Sequence, residues 1–185
     1  MIEIRMLGRG GQGAYSSAEM MASALVAEGK YAICFPMFGG ERRGAPVNVF
    51  LRFDDKPIRL RSQIYYPDCC MVTDPQLART PDALKGLKPG GIVVMNLQTP
   101  PEEKPHENTE VFATVDATGI ALEEIGRPIT NTVLIGALLY TTGWIELDSI
   151  FEAFKEYFSA KLLDSNIRCV QRGYEETKVK KFGGN

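Results

Sequence analysis

Two glycine-rich segments near the N-terminus carry the residue types that hold anions: Gly8-Arg9-Gly10-Gly11-Gln12-Gly13 and Gly39-Gly40-Glu41-Arg42-Arg43-Gly44-Ala45-Pro46. Glycine lets backbone N–H groups approach a ligand closely, and a helix that follows adds its positive N-terminal end. Each segment follows a run that reads as a buried strand, so both loops are expected at one edge of a single sheet. The pairing points to a phosphorylated or carboxylated ligand. In the second loop, Arg42 and Arg43 could clamp such a group bidentately or dock on a partner subunit. A solvated loop face is the plainer alternative.

Gly8-x-Gly10-x-x-Gly13, between a strand and a helix, matches the local dinucleotide fingerprint. The acidic residue that should end the second strand and hold the ribose is missing, because that strand ends Ile33-Cys34-Phe35-Pro36. A standard NAD site is therefore not expected. The glycines could instead serve a tight turn and close helix packing, and Arg9 and Gln12 are the polar groups that decide between the two. Asn131-Thr132 opens an apolar helix, where Thr130 or Asn131 is first a cap and second a ligand contact. Asp74 and Asn96 end strands at the same crevice and are weaker candidates. Arg59-x-Arg61 suits a solvated strand edge as well as a binding role.

Other chemistries find little support. The four cysteines, Cys34, Cys69, Cys70 and Cys169, show no C-x-x-C spacing, so no zinc or iron–sulfur site is expected in this chain alone. Adjacent Cys69 and Cys70 should point to opposite sheet faces as small buried hydrophobes. The only histidine, His106, lies in a Pro/Glu-rich loop, which disfavours a Ser–His–Asp triad or a two-His metal site. A net charge of −2 over 185 residues gives no electrostatic case for nucleic acid or an anionic membrane. No apolar run reaches the ~20 residues of a membrane span. The chain enters a strand at once, so a signal peptide is not expected and the cytoplasm is the default compartment.

The positioning elements follow from hydrophobic periodicity. Strands are expected at 2–7, 31–36, 68–73, 92–96 and 111–115. Helices are expected at 14–28, around 76–84, from 116 or 118 to about 125, and at 131–142, 147–158 and 163–177. Val47–Phe53 and Ile58–Arg61, joined at Asp54-Asp55-Lys56-Pro57, form an expected antiparallel hairpin. Residues 178–185 form a charged tail expected to fray. The result is one α/β domain over 1–185: an open, mostly parallel sheet flanked by helices, with an antiparallel hairpin excursion at about 46–61.

The joint pattern resembles the gamma subunit, or domain III of fused forms, of the 2-oxoacid:ferredoxin oxidoreductases, typified by pyruvate:ferredoxin oxidoreductase (pyruvate synthase). Four stretches carry it: Gly8-Arg9-Gly10-Gly11-Gln12-Gly13-Ala14; Phe38-Gly39-Gly40-Glu41-Arg42-Arg43-Gly44-Ala45-Pro46-Val47; Ile58-Arg59-x-Arg61-Ser62-Gln63-Ile64-Tyr65; and Asn131-Thr132-x-Leu134-x-Gly136-Ala137. The resemblance implies oxidative decarboxylation of a 2-oxoacid to an acyl-CoA, with electrons passed to ferredoxin or another acceptor. It places thiamine diphosphate, Mg and 4Fe-4S clusters in partner alpha, beta and delta subunits. This chain would contribute to coenzyme A binding and to active-site closure, and would be inactive alone. Gly8, Arg9, Gly10, Gly11, Gln12, Gly13, Asn131 and Thr132 are then the expected ligand contacts, with Glu41, Arg42 and Arg43 near the active-site mouth. Tyr15-Ser16-Ser17 stands where many pyruvate-type members carry smaller residues such as valine and threonine. Pyruvate is the first substrate expectation, with phenylglyoxylate or a branched-chain 2-oxoacid as alternatives. A stand-alone NAD(P)-binding protein and a purely structural subunit are the rivals.

Overall fold

A computed structural model describes residues 1–38 and 44–182. Its centre is one seven-stranded sheet. The strands are β1 (Ile2–Arg9), β2 (Tyr31–Phe38), β3 (Pro46–Asp54), β4 (Cys69–Val72), β5 (Gly91–Asn96), β6 (Thr109–Val115) and β7 (Lys178–Lys181). They lie in the order β2-β3-β1-β4-β5-β6-β7. β1, β4, β5 and β6 pair in parallel, β3 runs against both β1 and β2, and β7 runs against β6. Five strands thus share one direction, and the mostly parallel α/β expectation is met.

Five helices complete the fold: α1 (Ala14–Ala27), α2 (Ala117–Ile125), α3 (Asn131–Thr142), α4 (Leu147–Tyr157) and α5 (Ala160–Glu175). All five pack on one sheet face, into the larger core with Ile4, Met6, Leu51, Cys69 and Val94. The opposite face is covered by irregular chain, where Leu77, Ala83, Leu84 and Leu87 meet Leu7, Cys70 and Val93. Cys69 and Cys70 fall in different cores, on opposite faces as the strand period requires. α3 is buried through its first nine residues, which makes it the central pillar of the helical layer.

Three expected elements differ. Ile58–Arg61 is not a strand, because both edges of β3 are already hydrogen-bonded, one to β1 and the other to β2. The antiparallel hairpin is β2–β3, so Arg59 and Arg61 lie on exposed irregular chain. The region 76–84 forms two 3₁₀ turns, Leu77–Arg79 and Pro81–Ala83, since Pro81 cannot continue the first turn. Lys178–Lys181 does not fray. It adds to the open edge of β6, where its lysines protect an edge that would otherwise recruit other strands.

Strand order also bears on the dinucleotide rival. β3 separates β1 from β2, so the strand after α1 does not lie beside the glycine loop. The position from which a fingerprint carboxylate reaches the ribose is absent from this topology.

Candidate functional site

The first glycine segment meets the described end of the second, Gly44-Ala45. β1 and β2 run in the same direction. Gly10 N donates to Ala45 O at 2.9 Å and Gly44 N donates back to Gly10 O at 3.3 Å. Residues 39–43, including Glu41, Arg42 and Arg43, lie outside the described residues.

Each expected site residue has a definite place. Gly8 sits inside β1, where a Cβ would strike the Thr73 hydroxyl, so it is a packing glycine. Arg9 is a cross-brace: Nε donates to Asp74 Oδ2 at 3.0 Å, one terminal nitrogen to Gly44 O at 3.2 Å and the other to Gln76 Oε1 at 3.1 Å. Gln12 turns back on the loop, accepting from Arg9 N at 2.8 Å and donating to Asp74 Oδ2 at 2.9 Å. Asp74 therefore gathers both side chains, together with the backbone N–H of Gln76 and Leu77. Burial pushes its carboxyl pKa up, but the bonds from Gln12, Gln76 and Leu77 and the charge of Arg9 outweigh this and hold it below the ordinary value. The guanidinium and amide expected to meet an anion instead tie the loop to the end of β4.

What the loop presents is backbone. Gly10 and Gln12 use their N–H groups internally. Among the described residues, the N–H groups of Gly11, Gly13, Ala14, Tyr15 and Ser16 find no acceptor, while Ser17 N donates to Gly13 O at 2.9 Å. Gly13 caps α1 in the left-handed region at φ 77°, without a side-chain cap. A Cβ there would lie 2.6 Å from Asn131 Nδ2, whereas one at Gly11, φ 91°, would meet nothing within 4 Å. Gly11 thus has open space beside it among the described residues, and Gly13 lets α3 approach the loop.

Asn131 is the first residue of α3 and is 5% exposed. Its Nδ2 makes a long contact to Gly13 O at 3.5 Å, and its Oδ1 has no hydrogen-bond partner. Neither Thr130 nor Asn131 caps α3 by its side chain. The Thr130 hydroxyl donates to Thr73 O at 3.4 Å. Thr132 is fully buried at the α3–α5 seam and donates to Asn166 Oδ1 at 3.2 Å, so it borders the site only through Asn166. Asn96 is likewise internal, donating to Thr73 O and to the Thr118 hydroxyl.

Among the described residues, two clefts flank the loop. A smaller one of about 300 Å³ is lined by Arg9, Gly11, Tyr15, Ser16 and Val47. A larger one of about 610 Å³ runs from Gly11, Gly13 and Ser16 past Asn131 to Arg127 and Lys161. Periodicity did not single out Arg127 or Lys161, although Gly126-Arg127-Pro128 immediately precedes the Ile129–Asn131 entry to α3. Among the described residues, no group of three His, Cys, Asp or Glu side chains comes together to hold a metal ion. Burial pushes the thiols up, to about 11 for the half-buried Cys34 and for the buried Cys70 and Cys169.

The fold defines an α/β chain whose glycine loop opens onto a helix start without a side-chain cap. The chain belongs to the pyruvate ferredoxin/flavodoxin oxidoreductase family, whose signature matches residues 3–176, and it is of the gamma-subunit type. It is 51% identical to the pyruvate/ketoisovalerate oxidoreductases common subunit gamma of Thermococcus kodakarensis, over 97% of this chain and 98% of that one. It is 43% identical to the gamma subunit of the NADH-dependent phenylglyoxylate dehydrogenase of Aromatoleum evansii, over 97% and 95%. The crystal structure of pyruvate oxidoreductase subunit PORC from Thermotoga maritima superposes with a TM-score of 0.86 at 38% identity, over 97% of this chain and 98% of that one. The same fold recurs at 21% identity and a TM-score of 0.75 in the 2-oxoglutarate:ferredoxin oxidoreductase of Magnetococcus marinus, over 94% of this chain and 30% of that one. That structure holds 2-oxoglutarate, coenzyme A and succinyl-CoA.

Proposed function

We propose that this chain, as one gamma-type domain, works in a cytoplasmic complex with alpha, beta and delta subunits that oxidatively decarboxylates a 2-oxoacid to an acyl-CoA and reduces ferredoxin or another acceptor. Its own task is to bind coenzyme A and help close the active site. The observation that carries this reading is the open row of N–H groups at Gly11, Gly13 and the start of α1, set beside the unpartnered Oδ1 of Asn131. N–H dipoles at a helix start attract phosphate oxygens. The amide oxygen offers an acceptor for a ligand N–H or hydroxyl.

On this reading the loop amides take a phosphate of coenzyme A, and Asn131 takes a neighbouring donor. Glu41, Arg42 and Arg43 guard the mouth. Arg9 and Gln12 hold the loop's shape through Asp74, which keeps the donors aligned before the ligand arrives. Such preorganisation is what positions a thiol for attack. Thiamine diphosphate with Mg and the 4Fe-4S clusters, all in partner subunits, supply the carbanion and electron-transfer chemistry.

The choice of 2-oxoacid falls to the partners. The Thermococcus relative is named as a gamma subunit common to pyruvate and ketoisovalerate oxidoreductases, so one such chain serves two substrates there. Tyr15, exposed beside the smaller cleft, does not by itself decide between pyruvate, a branched-chain acid and phenylglyoxylate.

The test is Gly13→Ala in the assembled complex. The added Cβ opposes a positive φ and meets the Asn131 amide, so KM for coenzyme A should rise roughly tenfold or more, the equivalent of one lost charge-assisted hydrogen bond. KM for the 2-oxoacid should not change. Unchanged coenzyme A kinetics in an intact complex would leave the structural-subunit reading standing instead. Turnover by the isolated chain with added thiamine diphosphate would end the subunit reading.

A further inference from the structure

On the sheet face that no helix covers, two rows of side chains run across β1, β3 and β2. Arg5, Phe50 and Phe35 form one row, and Leu7, Asn48 and Met37 form the next. The irregular chain after β3 brings Gln63, Ile64 and Tyr65 beside them, the end of the third stretch that carried the family resemblance. Between the rows and this chain lies a cleft of about 310 Å³, with the exposed side chains of Asp82 and Lys85 at its border. Neither coenzyme A binding nor loop closure uses these residues.

Arg5 is the unusual group here. It lines the cleft, is 9% exposed, and among the described residues no carboxylate pairs with it. One terminal nitrogen makes all of its hydrogen bonds among those residues, and they are long: to Ala83 O at 3.3 Å, Asp82 O at 3.4 Å and Cys70 Sγ at 3.6 Å. Arg52 on the adjacent strand is also buried, but it has Glu3 at 2.8 Å. A buried cation without a counter-ion is costly, and a carboxylate brought by a ligand removes that cost. Arg5 and Lys85 together outweigh the single carboxylate of Asp82, so the cleft lining is positive on balance.

The surroundings select a protein ligand over a small molecule. Tyr65 is 63% exposed and Met37 43%, and Met37 belongs to β2, an outer strand of the sheet. The eight residues of β2 include no charged side chain. The opposite outer strand, β7, has three lysines in its four residues. Outer strands are normally guarded by charge, as β7 is. An unguarded apolar edge continuous with exposed Tyr and Met suits an interface, whose core favours aromatic residues and methionine.

We propose that this cleft and the β2 edge form a docking surface for a companion subunit, which sets an aspartate or glutamate of an apolar segment against Arg5. The inference rests on the subunit reading above and goes beyond it, and it does not depend on coenzyme A. Lys85 draws the acid toward the cleft, and Tyr65 and Met37 pack on its apolar flank.

The experiment mixes the purified chain with the remaining subunits of its complex and measures assembly by analytical ultracentrifugation. Wild type is compared with Arg5→Met, Tyr65→Ser and Lys85→Gln. Tyr65 and Lys85 are exposed, so their variants keep the fold even if Arg5→Met does not. Tyr65→Ser should weaken assembly roughly tenfold, as the loss of an aromatic anchor does. Arg5→Met should weaken it roughly thirtyfold, as stranding one member of a buried charge pair does. Lys85→Gln should slow association and flatten its salt dependence. A water-soluble carbodiimide, which joins an amine to a carboxylate touching it, should link Lys85 to an acid of a companion subunit. Wild-type assembly by both Tyr65→Ser and Lys85→Gln would overturn the proposal. So would a Lys85 link to a second copy of this chain alone. Benzoate binding to the chain through Arg5, with assembly indifferent to every variant, would also overturn it and mark a small-carboxylate site. Gly13→Ala should alter KM for coenzyme A and leave assembly intact, and these variants should do the reverse, so either reading can fail alone. If the wild-type chain does not assemble with those subunits, both fall.

Discussion

Gln12 Nε2 and Asp74 Oδ2 lie 2.9 Å apart, which ties the glycine loop after β1 to the first residues beyond β4. Arg9 reaches the same oxygen at 3.0 Å. The carboxylate is thus the fixed point from which the loop's open amides are aimed, and its charge state matters.

Asp74→Asn should loosen that fixed point. The variant keeps the shape but loses the charge that Arg9 and Gln12 share, and a loss of about 1–3 kcal/mol is expected at pH 7. Asp74's pKa is lowered in the fold. Its contribution is therefore present above the ordinary carboxyl value of about 3.9 and fades as pH falls through the folded value. Urea unfolding at pH 7 and again below pH 4 checks both points. The gap between wild type and variant should narrow in acid, and equal stability at pH 7 would refute the role given to Asp74.

Arg52 is the second fixed point. Its side chain is 2% exposed, and it donates to Glu3 Oε1 at 2.8 Å, Ser62 O at 2.6 Å and Gln63 O at 3.1 Å. The Ser62-Gln63 pair that helped carry the family resemblance is thereby explained as a clamp. It pins irregular chain over the sheet face that no helix covers. Arg52→Met leaves Glu3 with Lys88 alone and frees two carbonyls. Breaking a buried pair from one side costs about 3–5 kcal/mol. The urea midpoint should fall, and limited proteolysis should begin within residues 58–67. Wild-type protease resistance would count against the clamp.

The crossing of α3 and α5 is the third. A Cβ on Gly136 would run into the Val170 carbonyl, and one on Gly173 into the Val133 carbonyl. Both obstacles are backbone, so neither helix can yield by a rotamer change. Gly136→Ala and Gly173→Ala should each cost about 1–3 kcal/mol, the range for overpacking, read as a lower thermal midpoint. A variant as stable as wild type would show slack in the crossing.

Much of this was legible from residue order, and the failures have physical causes. Apolar periodicity placed α3 at 131–142 with both ends correct, and the strand period put Cys69 and Cys70 on opposite faces. Ile58-Arg59-Leu60-Arg61 has the same alternation, but alternation says nothing about whether a partner strand has a free edge. Lys178–Lys181 was expected to fray because lysines suit solvent, yet they equally suit an edge strand. At the candidate site, the loop's glycines were readable. The loss of Arg9 and Gln12 to Asp74 was not, since that contact spans β1 to β4. Arg127 and Lys161 were missed because isolated cations in separate segments show no spacing until the chain folds.

The joint between α3 and α5 has one consequence for variation in this chain. Asn131 and Asn166 face the larger cleft from those two rods, a turn or two from glycines that admit no spacer. A mutational library should therefore show robustness and ligand affinity declining together at 136 and 173. Suppressors should arise on the opposing rod rather than at the cleft itself.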